Sequence, residues 1–182
     1  INLISNIKVV GIDVGCCIGD YISNIKDICK EKNKQILCFE PNPLNIKILE
    51  PKINEDNDLK LFKCCISNES GRAPFVNNTG KNNYSGNPLA GLRSGGHKIC
   101  DIDVKKLDDI LDNEFKNEDF IIKFIKIDTE GNDSNVIKGL KKYLPKTKYI
   151  IFECSDCLDD HRGPGIKNPM KDIVDFLSNN GF

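Results

Sequence analysis

The chain has 182 residues, 39% of them hydrophobic, which fits one globular domain spanning 1–182 and excludes an intrinsically disordered chain. Its 26 Lys+Arg against 27 Asp+Glu give a formal net charge of −1, so no global positive field exists to hold a polyanion and general nucleic-acid binding is disfavoured. No apolar run approaches the ~20 residues of a membrane-spanning helix, and no basic-then-apolar leader is visible before the first strand pattern.

The predicted elements alternate along the chain. The run Lys8–Val14 (KVVGIDV) is β-branched and ends in a glycine turn, so it reads as a strand. Asp20 is placed to cap a helix whose apolar positions are Ile22, Ile25, Ile28 and Cys29. A second strand covers 36–39. Pro43 then starts a helix with Ile46 and Leu49 inward, which Pro51 interrupts or ends. A third strand is expected at 59–65 and a fourth at Phe120–Ile127. A helix over 134–144 carries Val136, Ile137, Leu140 and Leu144 on one face. A fifth strand at 149–152 and a last helix over 169–180, with Ile173, Val174 and Leu177 inward, complete the series. Strands that are apolar without alternation, separated by helices, predict a parallel sheet covered on both faces. Residues 72–100, rich in Gly, Asn and Ser, show no clear period and are expected to form a long substrate-side loop.

The nine cysteines are odd in number and include two adjacent pairs, and several lie within apolar runs. They read as free thiols of a reducing, cytoplasmic compartment rather than a secreted disulfide framework. Cys154-x-x-Cys157 has zinc-like spacing, but it has no second pair at a matched distance, so no metal site is assigned to it. The sequence begins at Ile1 and reads as a segment of a longer chain.

Open α/β sheets bind ligands at the carboxyl ends of their strands, so the residues there carry the chemistry. The first strand leads into Gly11, Gly15 and Gly19 with Asp13 just before the turn, a G-x-x-x-G-x-x-x-G spacing that differs from the dinucleotide fingerprint. Asp13 would repel a pyrophosphate and attract an ammonium or sulfonium group. Glu40, at the end of the second strand and roughly twenty residues on, is placed to accept both hydroxyls of an adenosine ribose. Asp128, Glu130 and Glu153 follow the fourth and fifth strands and are expected to converge. Such a group shares a proton, binds a hard cation or acts as a general base. Lys126 is read as lying on the opposite face from this chemistry and is given no role. Tyr84, Arg93, His97 and His161 are weaker candidates for contact with an acceptor, each read first as a loop residue.

The segments GIDVGCCIGDY, CFEPNP, KLDDIL, FIKIDTEGNDSNVIKGL and IIFEC, in this order and spacing, resemble the FkbM family of S-adenosylmethionine-dependent methyltransferases. The resemblance implies a class I methyltransferase (Rossmann-like) sheet of seven strands with helices on both faces. The final antiparallel hairpin of that sheet is absent from this sequence, which stops at Phe182. It also implies O-methylation of a hydroxyl on a sugar, glycan or small natural product. By the resemblance, Asp13, Gly15, Cys16 and Gly19 match the turn that holds the methionine moiety, and Glu40 matches the ribose acid. Cys65, Ile66 and Ser67 skirt the adenine, and Asp128 and Glu130 lie beside the reacting methyl. Cys16 and Cys17 replace residues that are usually Ala-Asn in the family turn. An alcohol is a poor nucleophile at neutral pH, so Asp128 is the first candidate base and Glu153 the second, with a divalent cation (Mg²⁺ or Mn²⁺) on these acids as the other route. The remaining readings are a dehydrogenase-like dinucleotide binder, a non-catalytic module of a larger protein and an RNA ribose methyltransferase.

Overall fold

The computed structural model describes residues 7–77, 90–92, 97–154 and 170–182. Five parallel strands form the main sheet in the order β3-β2-β1-β8-β9: β1 (Lys8–Val14), β2 (Lys34–Phe39), β3 (Leu59–Phe62), β8 (Phe120–Ile127) and β9 (Ile150–Phe152). The chain winds outward from β1 through β2 to β3, then resumes on the other side of β1 with β8. The strand order therefore reverses at β1 and β8, and their carboxyl ends open the crevice.

Side chains alternate across the sheet and build two apolar layers. Val9, Ile36 and Cys38 pack under α1 (Ile22–Ile28) and α2 (Pro43–Asn54), against Ile22, Ile25, Leu49 and Ile53. Val10, Ile12, Val14, Leu37 and Phe39 face α3 (Leu107–Glu114), α4 (Asp133–Lys138) and α5 (Met170–Asn179). Ile12 and Ile125 are register partners and both fully buried. Burying each contributes ~1.5–3 kcal/mol.

Several expectations change at this level. Asp20 does not cap α1: the helix begins after Tyr21, and the Ile22 N–H is already taken by the Gly19 carbonyl at 3.2 Å. Pro51 lies inside α2, which continues to Asn54. The Lys47 carbonyl that Pro51 cannot bond belongs to an exposed residue, while buried Leu49 and Ile53 hold both turns to the sheet. The stretch 134–144 is α4 followed by a 3-10 turn over Lys141–Lys146, not one helix. In α5, Ile173 and Leu177 are buried but Val174 is 46% exposed.

The largest difference concerns 72–100. β5 (Gly71–Asn77), β6 (Ala90–Leu92) and β7 (His97–Lys105) pair with β4 (Cys65–Ile66) in a second sheet of order β4-β7-β5-β6. Phe75, Cys65 and Val104 form its small core. The stretch 59–65 accordingly divides, with β3 in the main sheet and β4 in the second. The eight described cysteines are all free, five of them buried. No helix among the described residues is long and apolar enough to cross a membrane.

Candidate active site

The turn after β1 is built from left-handed backbone at Gly15, Cys17 and Gly19 (φ 77°, 52° and 91°). It is anchored to β2: the Gly15 and Cys16 N–H groups both donate to the Phe39 carbonyl, at 3.0 and 3.1 Å. Cys17 pays the steric cost of positive φ as a non-glycine residue, and its N–H donates to Glu40 Oε2 at 2.7 Å. Glu40 Oε1 accepts from the Asn42 N–H at 2.8 Å and from Asn45 Nδ2 at 3.2 Å. Burial pushes the Glu40 carboxyl up to about 7, against the pull of these donors. The carboxylate thus accepts three hydrogen bonds from the protein, and about one of its four lone-pair sites is left for a ligand. Glu40 thus ties the glycine turn to the start of α2.

Asp13 is fully buried at the end of β1 and makes no hydrogen bond among the described residues. Burial raises its pKa to about 6, and the Lys126 ammonium works against that shift. Lys126 Nζ lies 3.4 Å from Asp13 Oδ1 and 3.4 Å from Asp128 Oδ2, and it donates to the Gly15 carbonyl at 2.9 Å. Burial draws the Lys126 pKa down, but the two carboxylates outweigh it and hold the ammonium above its ordinary range. Lys126 therefore lies on the same face as the acids, not on the far face, for a reason of strand parity. Residues two apart share a face, so 126 and 128 point the same way. The Asp13–Lys126 register between β1 and β8 brings the two side chains together.

Asp128, Glu130 and Glu153 converge as expected, with one carboxylate oxygen of each lying within 4.8 Å of the others. β8 and β9 deliver them: the Asp128 N–H donates to the Val14 carbonyl at 3.0 Å, and the Glu153 N–H to the Ile127 carbonyl at 3.3 Å. Glu130 has φ 57°. Buried Asp133 pins this turn, because its Oδ2 accepts from Thr129 Oγ1 at 3.0 Å and from the Gly131 N–H at 3.3 Å. Burial raises the Asp133 pKa to about 6. Asn132 Nδ2 donates to the Ile66 carbonyl at 2.8 Å and joins the turn to β4.

Two clefts result. One is floored by Val14, Phe39, Cys65 and Ile66 and edged by Gly15 and Asn132. The other, about 500 Å³, is lined by Tyr21, Lys126, Asp128, Glu130, Phe152 and Glu153. Gly15 lines the first and Asp128 the second, and the two backbones are in close contact. Of the residues expected on the cofactor side, Ile66 and Cys65 line the first cleft. Ser67 is buried, and its hydroxyl donates to Asn68 Oδ1 at 3.2 Å. The Cys16 side chain does not face the cleft: it packs into the α1/α2 layer with Cys38, so only its backbone belongs to the turn. His97 is exposed on β7 opposite Asn77. Tyr84, Arg93, Cys157 and His161 lie outside the described residues.

A labelling prediction follows. Burial and the nearby Glu40 raise the Cys17 thiol, while Cys16 is sealed in the core. Cys17 should alkylate slowly and Cys16 not at all in the native protein, and S-adenosylhomocysteine should slow Cys17 further. Peptide mass spectrometry reads both sites. Cys16 reacting faster than Cys17 would contradict this turn.

A five-stranded parallel sheet, helices on both faces and a crevice at the reversal of strand order define a Rossmann-like fold of the methyltransferase type. A solved methyltransferase FkbM from Methylobacillus flagellatus shares this fold with a TM-score of 0.59 at 19% identity. The match covers 96% of this chain and 37% of the solved one. Residues 13–182 match the methyltransferase FkbM domain, and the chain belongs to that family. The 2-O-methyltransferase NoeI of Sinorhizobium fredii is 26% identical over 187 residues, which cover 97% of this chain and 74% of the relative.

Proposed function

We propose that this chain is an S-adenosylmethionine-dependent O-methyltransferase acting on a hydroxyl of a sugar, glycan or small natural product, in the reducing cytoplasm that its free thiols suit. The observation that carries this reading is an apolar cleft lined by Gly15 of the glycine turn and a cleft of converging carboxylates lined by Asp128, with the Gly15 and Asp128 backbones in contact between them. The Sinorhizobium relative, a 2-O-methyltransferase, supports it.

The residues fit the cofactor. Asp13 sets a buried carboxylate, compensated by Lys126 at 3.4 Å, beneath the glycine turn, and the first cleft, narrow at about 30 Å³, has an apolar floor against which a base would lie. Asp13, Gly15, Gly19, Glu40, Ile66 and Asp128 would hold it, with Cys16 contributing backbone. When bound, it supplies a methyl group activated by a sulfonium. The chain's own task is to orient the acceptor hydroxyl, exclude water and take the proton from its oxygen. Asp128, which lines the second cleft, would take that last role, and its convergence with Glu153 and Glu130 supports the reading. The three carboxylates also suit a hard divalent cation, although Lys126 already compensates Asp128. The segment 72–100, which leads from β5 into β7, is proposed to border the acceptor.

Calorimetry tests the cofactor assignment. S-adenosylhomocysteine should bind in preference to NAD, and Glu40→Ala should weaken it by roughly 1–3 kcal/mol, the scale for hydrogen bonds to a charged group. Unchanged affinity in a folded Glu40→Ala protein, or a preference for NAD, would overturn the reading.

A further inference from the structure

We propose that Lys126 is a positioning residue: one ammonium ties the glycine turn after β1 to the acid at the tip of β8. The two sides of the crevice are thereby set by a single side chain. The tie itself stands on geometry alone, and its consequence for the cofactor rests on the function proposed above.

One hydrogen bond and two ion pairs surround Lys126 Nζ. The Gly15 carbonyl accepts at 2.9 Å, and Asp13 and Asp128 each lie at 3.4 Å. They belong to three different pieces of the rim: the left-handed turn, the end of β1 and the end of β8. The side chain is only 15% exposed, and the Tyr21 ring, itself stacked on Phe124, lies 6.0 Å from Nζ. The register that sets Asp13 beside Lys126 continues through Val14 and Ile127, so the strands deliver the ammonium to the point where the turns touch.

A lysine that merely compensates the buried Asp13 charge would leave the same distances, and a double substitution separates the two roles. Lys126→Met strands the Asp13 carboxylate in the interior and should lower thermal stability. Combining it with Asp13→Asn removes the stranded charge and should restore much of that stability. If Lys126 is a tie, amide hydrogen exchange in the free double variant should still be about tenfold faster than in Asp13→Asn alone, both in 14–19 and in 127–133. This is the effect of losing a hydrogen bond to a charged group. Exchange in α5 should be unchanged. S-adenosylhomocysteine should bind the double variant about tenfold more weakly than it binds Asp13→Asn.

Exchange and affinity equal to those of Asp13→Asn would reduce Lys126 to a counter-charge and overturn the proposal, as would loosening of only one of the two segments. The double variant carries the test if Lys126→Met alone fails to fold. Should the wild-type chain not bind S-adenosylhomocysteine, the proposed function fails, while exchange in the ligand-free protein still decides the tie.

Discussion

Asp128→Asn should leave S-adenosylhomocysteine binding within a few-fold of wild type and lower methyl transfer by ~10²-fold or more, the scale for losing a general base. The backbone supports this separation. Asp128 is held by its own N–H on the Val14 carbonyl, so exchanging the carboxylate for an amide leaves the two turns in contact. The amide oxygen can still accept from Lys126, but it cannot take a proton from an acceptor hydroxyl. The measurement is methyl transfer to a panel of sugar acceptors beside calorimetry on the same protein. A chelator distinguishes the two roles open to the carboxylates. Activity lost and then restored by Mg²⁺ or Mn²⁺ would assign Asp128, Glu130 and Glu153 to a cation, and indifference would leave Asp128 acting directly. Wild-type turnover in Asp128→Asn would remove it from the chemistry.

The central strands were legible because their signal is local. Lys8–Val14 and Phe120–Ile127 are nearly continuous apolar runs, broken by Asp13 in the first and by Lys123 and Lys126 in the second, and the structure places both strands at those residues. Once a strand end is located, the acid that follows it is located too, so the convergence of Asp128, Glu130 and Glu153 could be read before any coordinates. Side-chain partners across elements were not legible in this way. That Glu40 would bond the Cys17 N–H depends on a left-handed Cys17, which no residue-type preference announces. That Cys16 would turn into the core beside Cys38 depends on the same turn. The second sheet had a weak signal that was passed over. Asp101-Ile102-Asp103-Val104-Lys105 alternates polar and apolar with period two, as a half-buried strand does. Its charges weaken that signal, and the Gly- and Asn-rich sequence before it, residues 72–100, has no period to extend it. α3 was hidden by length, since its 8 residues bury only Leu107, Ile110 and Leu111.

Gly15→Ala should abolish the crevice rather than weaken one contact in it. A Cβ at Gly15 would stand 1.9 Å from the Asp128 carbonyl oxygen, and the obstacle is backbone, which cannot rotate away as a side chain could. The residue also has φ 77°, a left-handed conformation that costs an L side chain roughly 1–2 kcal/mol before any clash is counted. Overpacking adds ~1–3 kcal/mol as the β1 and β8 turns are forced apart. The variant should therefore lose about 2–5 kcal/mol of stability and melt roughly 5–15 °C lower. The separation acts at the Gly15–Asp128 contact, which borders both clefts. It withdraws the Gly15 carbonyl from Lys126 and shifts Asp128 away from the turn. S-adenosylhomocysteine binding should fall beyond calorimetric detection at a temperature where circular dichroism still shows a folded chain. Gly71→Ala is the matched control, because a Cβ there meets nothing within 4 Å. It should melt and bind as the wild type does. A folded Gly15→Ala protein with wild-type affinity would mean that the two turns do not touch as described, and the joint cleft on which the proposed chemistry depends would have to be abandoned.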